Sequence, residues 1–316
     1  MSALRPRISL PLDLHLAGRR PELEAVRHTL RPPGRARLDA LVVTPADPKG
    51  VLVYFPGFNT PLGSWETAKC QYLAQATSMQ VVITEIPGMS RYGDPIPRAV
   101  RAEMLRGRIG AWADLNLDYI NSAVEAGHIG DTSIMQALGY STGCSLATAA
   151  LPALAGFGPI EGLNLVEPVA ISDRNLASLE AHNMLDFGRM PLVLATNLGH
   201  GWVMDEYRRQ WREPSVKYGP ADLLAIAKVL AGEELLRRLE EIELERCALA
   251  RGSRSSLCRR PDFEKVDASL ESRRVGGPTI TVEGMGHQLW HSFPVITQLI
   301  EAMLGTPEAA ADSLTS

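Results

Sequence analysis

The chain has 316 residues, 45% hydrophobic and 22% charged, with 27 glycines and 22 prolines, which excludes collagen-like, fibrous and wholly disordered proteins. Thirty-two Lys and Arg against 36 Asp and Glu leave a formal charge of -4, so no broad cationic field gathers phosphates and nucleic acid is not an expected partner. A chain of this length buries about three quarters of the surface its unfolded form exposes and needs no disulfide staples.

The cysteines Cys70, Cys144, Cys247 and Cys258 are far apart and form no CxxC pair, which leaves out zinc-ribbon and thioredoxin-like motifs and reads as reduced thiols. Between Met1 and Leu16, Pro11, Asp13 and His15 interrupt any apolar stretch that could serve as a signal-peptide core. No segment approaches the ~20 apolar residues of a membrane span. A cytoplasmic location is therefore expected.

In chain order, the alternating segments Arg7 to Leu16 and Arg37 to Val43 read as half-exposed strands forming an antiparallel edge, separated by the turn-rich Arg31-Pro32-Pro33-Gly34. Val51 to Phe55 and Val81 to Thr84 are continuous β-rich runs, as central parallel strands are. Ser64 to Thr77 and Ala99 to Ala126 have helical spacing. Ser133 to Leu138 reads as a strand running into Gly139-Tyr140-Ser141-Thr142-Gly143 and then a small-residue helix, Cys144 to Leu154. Further strands are expected near Leu163 to Glu167, Pro191 to Thr196 and Pro278 to Val282. The roughly eighty residues between the last two read as helical, including Asp222 to Leu249, with Arg251 to Pro261 as an exposed loop. Alternating strand and helix implies an α/β fold with a mostly parallel sheet, and an insertion this long is expected to form a helical lid or side wall. The expected division is a core over 1–200 and 277–305, a lid over 201–276, and a disordered tail over 306–316.

The chemistry centres on Ser141. Gly139 and Gly143 flank it where a strand turns sharply into a helix, and glycine there lets the hydroxyl stand clear. A serine hydroxyl needs a base, and an imidazole titrating near pH 6.5 suits the task. Among seven histidines, His287 follows the final strand in Gly284-Met285-Gly286-His287 and can swing back over Ser141. His15, His28, His128 and His182 read as surface or core residues, and His200 as a lesser candidate for the pocket. His287 and His291 also have the i, i+4 spacing of a zinc pair, but Gln288 stands where a metalloprotease needs its glutamate, so no metal is expected. The carboxylate that orients the base should follow Ser and precede His. Glu167, ending a strand before Pro168, is favoured, with Asp205 as the alternative. The backbone amides of Phe58, in Phe55-Pro56-Gly57-Phe58-Asn59, and Thr142 are the expected oxyanion donors. Cys144 reads as a small core residue.

These residues resemble the α/β-hydrolase fold superfamily: a Pro-Gly-Phe loop after an early strand, GxSxG at Gly139 to Gly143, and Gly-x-Gly-His at Gly284 to His287. The likeness covers about residues 36 to 300 and leaves the lid region unmatched. Gly162 to Pro168 looks like the Gly-Leu-Asp-Pro segment of chlorophyllase-like and pancreatic-type lipase enzymes, whose acid follows this same strand, which supports Glu167. Where the family often has His-Gly before the oxyanion donor, this chain has Pro56-Gly57. The reading implies a serine hydrolase of carboxylic esters or thioesters that needs no cofactor. Tyr140, Trp202 and Met285 are expected at its pocket, and Trp202, Trp211, Leu223, Leu224 and Ile226 as an apolar wall for a hydrophobic substrate group. An acyltransferase or peptidase on the same residues, or a non-catalytic binding protein of this fold, are the alternatives.

Overall fold

Strands covered on both faces have no polar side to show, and the central strands here are short apolar runs. The computed structural model describes residues 5–15, 20–130 and 134–304. Val51–Phe55 (β4) and Gln80–Thr84 (β5) are buried at every residue, as is Leu38–Val43 (β3). Arg7–Leu10 (β1) and Ala25–Leu30 (β2) precede them. Met135–Tyr140 (β6), Ile160–Val166 (β7), Cys247–Gly252 (β8) and Thr279–Val282 (β9) complete a nine-stranded sheet ordered β1-β9-β8-β7-β6-β4-β5-β3-β2. All neighbouring pairs are parallel except β2 with β3 and β3 with β5.

Helices cover both faces. Ser64–Thr77 (α1) lies on one side. Arg98–Leu105 (α2), Gly110–Glu125 (α3) and Thr142–Leu154 (α4) lie on the other. Leu176–Phe187 (α5), Met190–Ala195 (α6), Gly201–Gln210 (α7), Pro220–Leu230 (α8) and Glu234–Glu241 (α9) form the excursion between β7 and β8. Arg260–Ser272 (α10) joins β8 to β9, and a 3-10 turn at His287–His291 leads into Phe293–Leu304 (α11). The period-two alternation of each strand divides the core into two clusters. Val51, Val53 and Phe55 of β4 pack with α3, α4 and α10, whereas Leu52 and Tyr54 pack with α1 and α11.

The expectation of a mostly parallel α/β sheet is met, and several local expectations are corrected. Arg7 to Leu16 does not join Arg37 to Val43: β1 pairs in parallel with β9 at the far edge, and the antiparallel edge is made by β2, which composition hides because its Arg27, His28 and Thr29 are edge-strand residues. Leu16, Ser133 and the tail 306–316 lie outside the described residues. The single helix read over Ala99 to Ala126 is two, broken where Gly107 takes φ 79°. Pro191 to Thr196 is not a strand but helical, opened by a proline at its first turn, where the missing N–H loses nothing. The insertion is not helical throughout: Cys247–Gly252, inside 201–276, is β8, seated between β7 and β9. Its Ala- and Leu-rich sequence favours helix, but a slot with strands on either side overrides propensity. Arg251 to Pro261 is not an exposed loop either, since Arg251, Ser255, Leu257 and Cys258 are buried.

Among the described residues no helix is long and apolar enough to cross a membrane. All four cysteines are buried and free.

The β1 edge is tied down by one buried side chain. Arg5 donates to Cys247 O at 2.7 Å, Val275 O at 2.8 Å, Gly276 O at 2.9 Å and Asp267 Oδ1 at 3.1 Å. Arg5→Met leaves those acceptors and a buried carboxylate short of a partner. It is expected to remove roughly 3–5 kcal/mol of stability, read as a lower urea midpoint with unchanged slope; an unchanged midpoint contradicts this.

Candidate active site

The parallel strands β4 and β6 are neighbours, but the chain leaves β4 toward β5 and returns on its other side to make β6. Such a reversal of strand order opens a crevice at the strands' carboxyl ends. Ser141 stands there, between β6 and α4, with φ 53° and ψ -118°. A non-glycine residue at positive φ is strained and must be held by its surroundings. The Ser141 amide donates to Val166 O at 2.9 Å, and its carbonyl accepts from Cys144 N at 2.9 Å. The flanking glycines are sterically required. A Cβ on Gly139 would come within 2.6 Å of Cys144 Cα, and one on Gly143 would overlap the Phe55 carbonyl.

Glu167 follows the end of β7, and His287 arrives from beyond the end of β9, with β8 between the two strands. His287 Nε2 accepts from Ser141 Oγ at 2.8 Å, and Nδ1 donates to Glu167 Oε2 at 2.9 Å, which fixes the tautomer. His287 is 2% exposed and Glu167 fully buried, while Ser141 keeps 8% exposure, the most of the three. Glu167 itself takes φ 57° just past β7, turning its carboxylate off the strand axis. Asp205, the alternative acid, is elsewhere, paired with Arg208 at 3.1 Å on an exposed face of α7. His200 is also remote, its Nε2 bonded to Leu14 O at 2.8 Å. The 3-10 turn carrying His287 and His291 does not present i and i+4 on one face. Both nitrogens of His287 are engaged, and burial pushes His291 well below its ordinary titration range, with Lys69 and His287 adding to the effect.

The residues expected as oxyanion donors lie in the chain beside Ser141 and in the β4 loop that packs against it. Thr142 is the first residue of α4, so its amide has no intrahelical acceptor. On the β4 side, a Cβ on Gly57 would sit 2.8 Å from the Tyr140 ring and 3.5 Å from Ser141 Cβ, so Gly57 brings the Phe58 loop against the elbow. Tyr140 and Met285, expected to line a pocket, are buried in the apolar cluster of α1 and α11, and Trp202 packs half-buried against it. Tyr140 lies under the histidine turn, its hydroxyl 3.2 Å from His287 O and 3.3 Å from Gln288 Oε1. Trp202 packs on Phe293 with ring centroids 4.9 Å apart. Cys144 Sγ donates to Gly139 O at 3.1 Å, and burial pushes its thiol well above the usual range, which fits a core residue.

Residues that sequence reasoning missed hold the acid. Glu167 Oε1 accepts the Gly252 amide and Oε2 accepts Ser255 Oγ at 2.6 Å, both from the stretch expected to be an exposed loop. No local pattern marks them, because they reach Glu167 only through the pairing of β7 with β8.

Among solved structures the chain is similar to the thioesterase domain from the curacin biosynthetic pathway, with a TM-score of 0.56 and 16% identity over 88% of this chain and 99% of that one. It is similar also to a hyperthermophilic esterase of the archaeon Pyrobaculum calidifontis, with a TM-score of 0.53 and 18% identity over 96% and 87%. A third likeness is to an esterase of Pyrococcus furiosus, with a TM-score of 0.53 and 11% identity over 95% and 100%. The chain has the α/β-hydrolase fold. No protein-family model and no curated protein matches it in sequence.

Gly143→Ala forces the elbow helix off the Phe55 carbonyl and is expected to lower stability by roughly 1–3 kcal/mol in chemical denaturation. Gly199→Ala, with nothing within 4 Å of its new methyl, is the control and should stay within about 0.5 kcal/mol of the parent. Equal midpoints for the two variants would contradict the steric account.

Proposed function

We propose that the protein is a serine hydrolase that cleaves a carboxylic ester or thioester through an acyl-enzyme on Ser141. The observation that carries this reading is the unbroken relay from Ser141 Oγ to His287 Nε2 at 2.8 Å and from Nδ1 to Glu167 at 2.9 Å, on a hydroxyl held at a strained turn. His287 takes the serine proton as Ser141 Oγ attacks the substrate carbonyl, and the Glu167 carboxylate stabilises the imidazolium that forms. The oxyanion accepts from the amides of Phe58 and Thr142. His287 returns the proton to the departing alcohol or thiol, then activates water to release the acid. These steps use side chains, backbone amides and water.

The excursion supports a substrate with an apolar group. Tyr218 stands 5.7 Å, ring to ring, from Phe58, and Tyr218, Leu223 and Leu224 remain 40%, 39% and 50% exposed, whereas Ile226 is buried in the core. Tyr218, half-open against Phe58, together with the exposed Leu223 and Leu224 of α8, suits an acyl or alkyl chain. The helical excursion over 173–246 is then the lid or side wall of the site. The activities of the similar structures, thioesterase and esterase, agree with this class. Transfer of the acyl group to an alcohol or amine shares the first half-reaction, and the products formed with added alcohol, amine or water separate these outcomes.

Ser141→Ala is expected to reduce hydrolysis of p-nitrophenyl butyrate by at least about a thousandfold. Glu167→Gln, which no longer stabilises the imidazolium, should lose about a thousandfold, while Asp205→Asn keeps the parent rate. Hydrolysis by the alanine variant at the parent rate would refute the proposal.

A further inference from the structure

We propose that Ser255 is a positioning residue for the triad acid, donating to the carboxylate oxygen that His287 uses and thereby setting how strongly Glu167 holds the imidazolium. The inference rests on the reading of Ser141, His287 and Glu167 as the catalytic trio.

Oε2 of Glu167 accepts two hydrogen bonds, from His287 Nδ1 at 2.9 Å and from Ser255 Oγ at 2.6 Å, while Oε1 accepts the Gly252 amide. The direction of the serine hydroxyl is set by its own environment, because Ser255 Oγ accepts the Cys258 amide at 3.1 Å and so turns its proton toward the carboxylate. Ser255 is buried, and its amide donates back to Gly252 O at 3.1 Å, which closes a tight turn directly after β8.

The turn is clamped from the excursion. Asp186, the buried residue of α5, accepts the amides of Ser256 and Leu257 through Oδ2, each at 2.8 Å, and Arg189 Nη1 at 3.1 Å through Oδ1. Arg189 reaches on to Arg254 O and to Ser256 Oγ, the latter at 3.2 Å. The carboxylate of Asp186 also lies beside Gly286, the residue before His287: a Cβ there would meet Asp186 Oδ1 at 3.4 Å. One acidic side chain therefore fixes the loop that presents Ser255 and touches the loop that presents His287.

A hydroxyl donated into a carboxylate withdraws part of its charge from the imidazole. Without Ser255 the carboxylate binds the imidazolium more tightly, so His287 stays protonated to higher pH and serves as base only at higher pH. The other ionisable groups facing the pair do not mask this effect. Tyr140 from β6, Cys144 from α4 and Cys258 from the turn are all pushed well above their usual range by burial, and His291 from the 3-10 turn is pushed well below its own. The charged neighbours, Asp186 with Arg189 and Arg251 on Cys258 O at 3.1 Å, are already engaged with partners.

The test is the rate of phosphonylation of Ser141 by a fluorophosphonate probe from about pH 5 to pH 9, which needs no knowledge of the substrate. Ser255→Ala is expected to move the acid limb upward by about half to one pH unit, so the rate falls several-fold at pH 6 and little at pH 8. Ser255→Thr, which keeps the hydroxyl, should retain the parent limb. Ser255→Cys, a near-isosteric weaker donor, should move it in the same direction as alanine and serves if the alanine variant does not fold. An unmoved limb in folded Ala or Cys variant, whether the rate falls evenly or not at all, overturns the assignment and leaves the trio standing. Phosphonylation that persists in Ser141→Ala overturns the trio, and this inference with it.

Discussion

The hydrogen bond between His287 Nδ1 and Glu167 Oε2 joins residues 120 positions apart in the chain and lies out of contact with water. It can form only when β7 and β9 end at the same edge of the sheet, with β8 between them, because each partner leaves the carboxyl end of its own strand. The parallel register of β7 with β8 and of β8 with β9 is therefore a precondition of the site. A carboxylate buried this deeply must be fully satisfied to stay in place. The Gly252 amide and the Ser255 hydroxyl meet that demand beside the imidazole.

The same economy applies to Ser141. Ser141 holds a strained backbone angle because β6, α4 and the β4 loop leave it no alternative: Gly143 lies against the Phe55 carbonyl and Gly57 against Tyr140. The strain lifts the hydroxyl off the sheet at the switch in strand order. Behind it, the histidine turn is anchored from the opposite face, where Trp290 Nε1 donates to Tyr54 Oη at 3.0 Å and Tyr54 in turn donates to Glu66 at 3.3 Å, with Lys69 paired to Glu66 in the interior. Burial lowers the Lys69 ammonium below its ordinary range, and its contact with Glu66 opposes that shift.

Much of this was legible along the chain, and the divide between what was and was not is physical. The elbow announces itself locally, because steric necessity puts glycine at 139 and 143 and a hydroxyl between them. Glu167 and His287 were approachable because each follows a strand and stands beside a turn-making neighbour, Pro168 or Gly286. The residues that hold the acid were not legible. Ser255 lies in a polar stretch, Arg251 to Pro261, that reads as solvent-facing, and only the pairing of β8 and the Asp186 clamp turn it inward. The same blindness to long-range pairing made Cys247 to Leu249 look like the end of a helix and Arg251 and Gly252 the start of a loop, and it placed β1 at the wrong edge of the sheet. Pro191 to Thr196 failed for a different reason, since a six-residue apolar run has no period that separates strand from helix.

The claim on which the rest depends is that the Ser141 oxygen becomes covalently bonded to the acyl group. Acid quenching within the first turnover of p-nitrophenyl acetate, followed by peptide mapping of the trapped protein, reads that bond directly. The account predicts an acetyl ester on Ser141, in the peptide containing Gly139 to Gly143. Acetyl found on another side chain, or product released with no trapped acyl group even where deacylation is slowed, would contradict it.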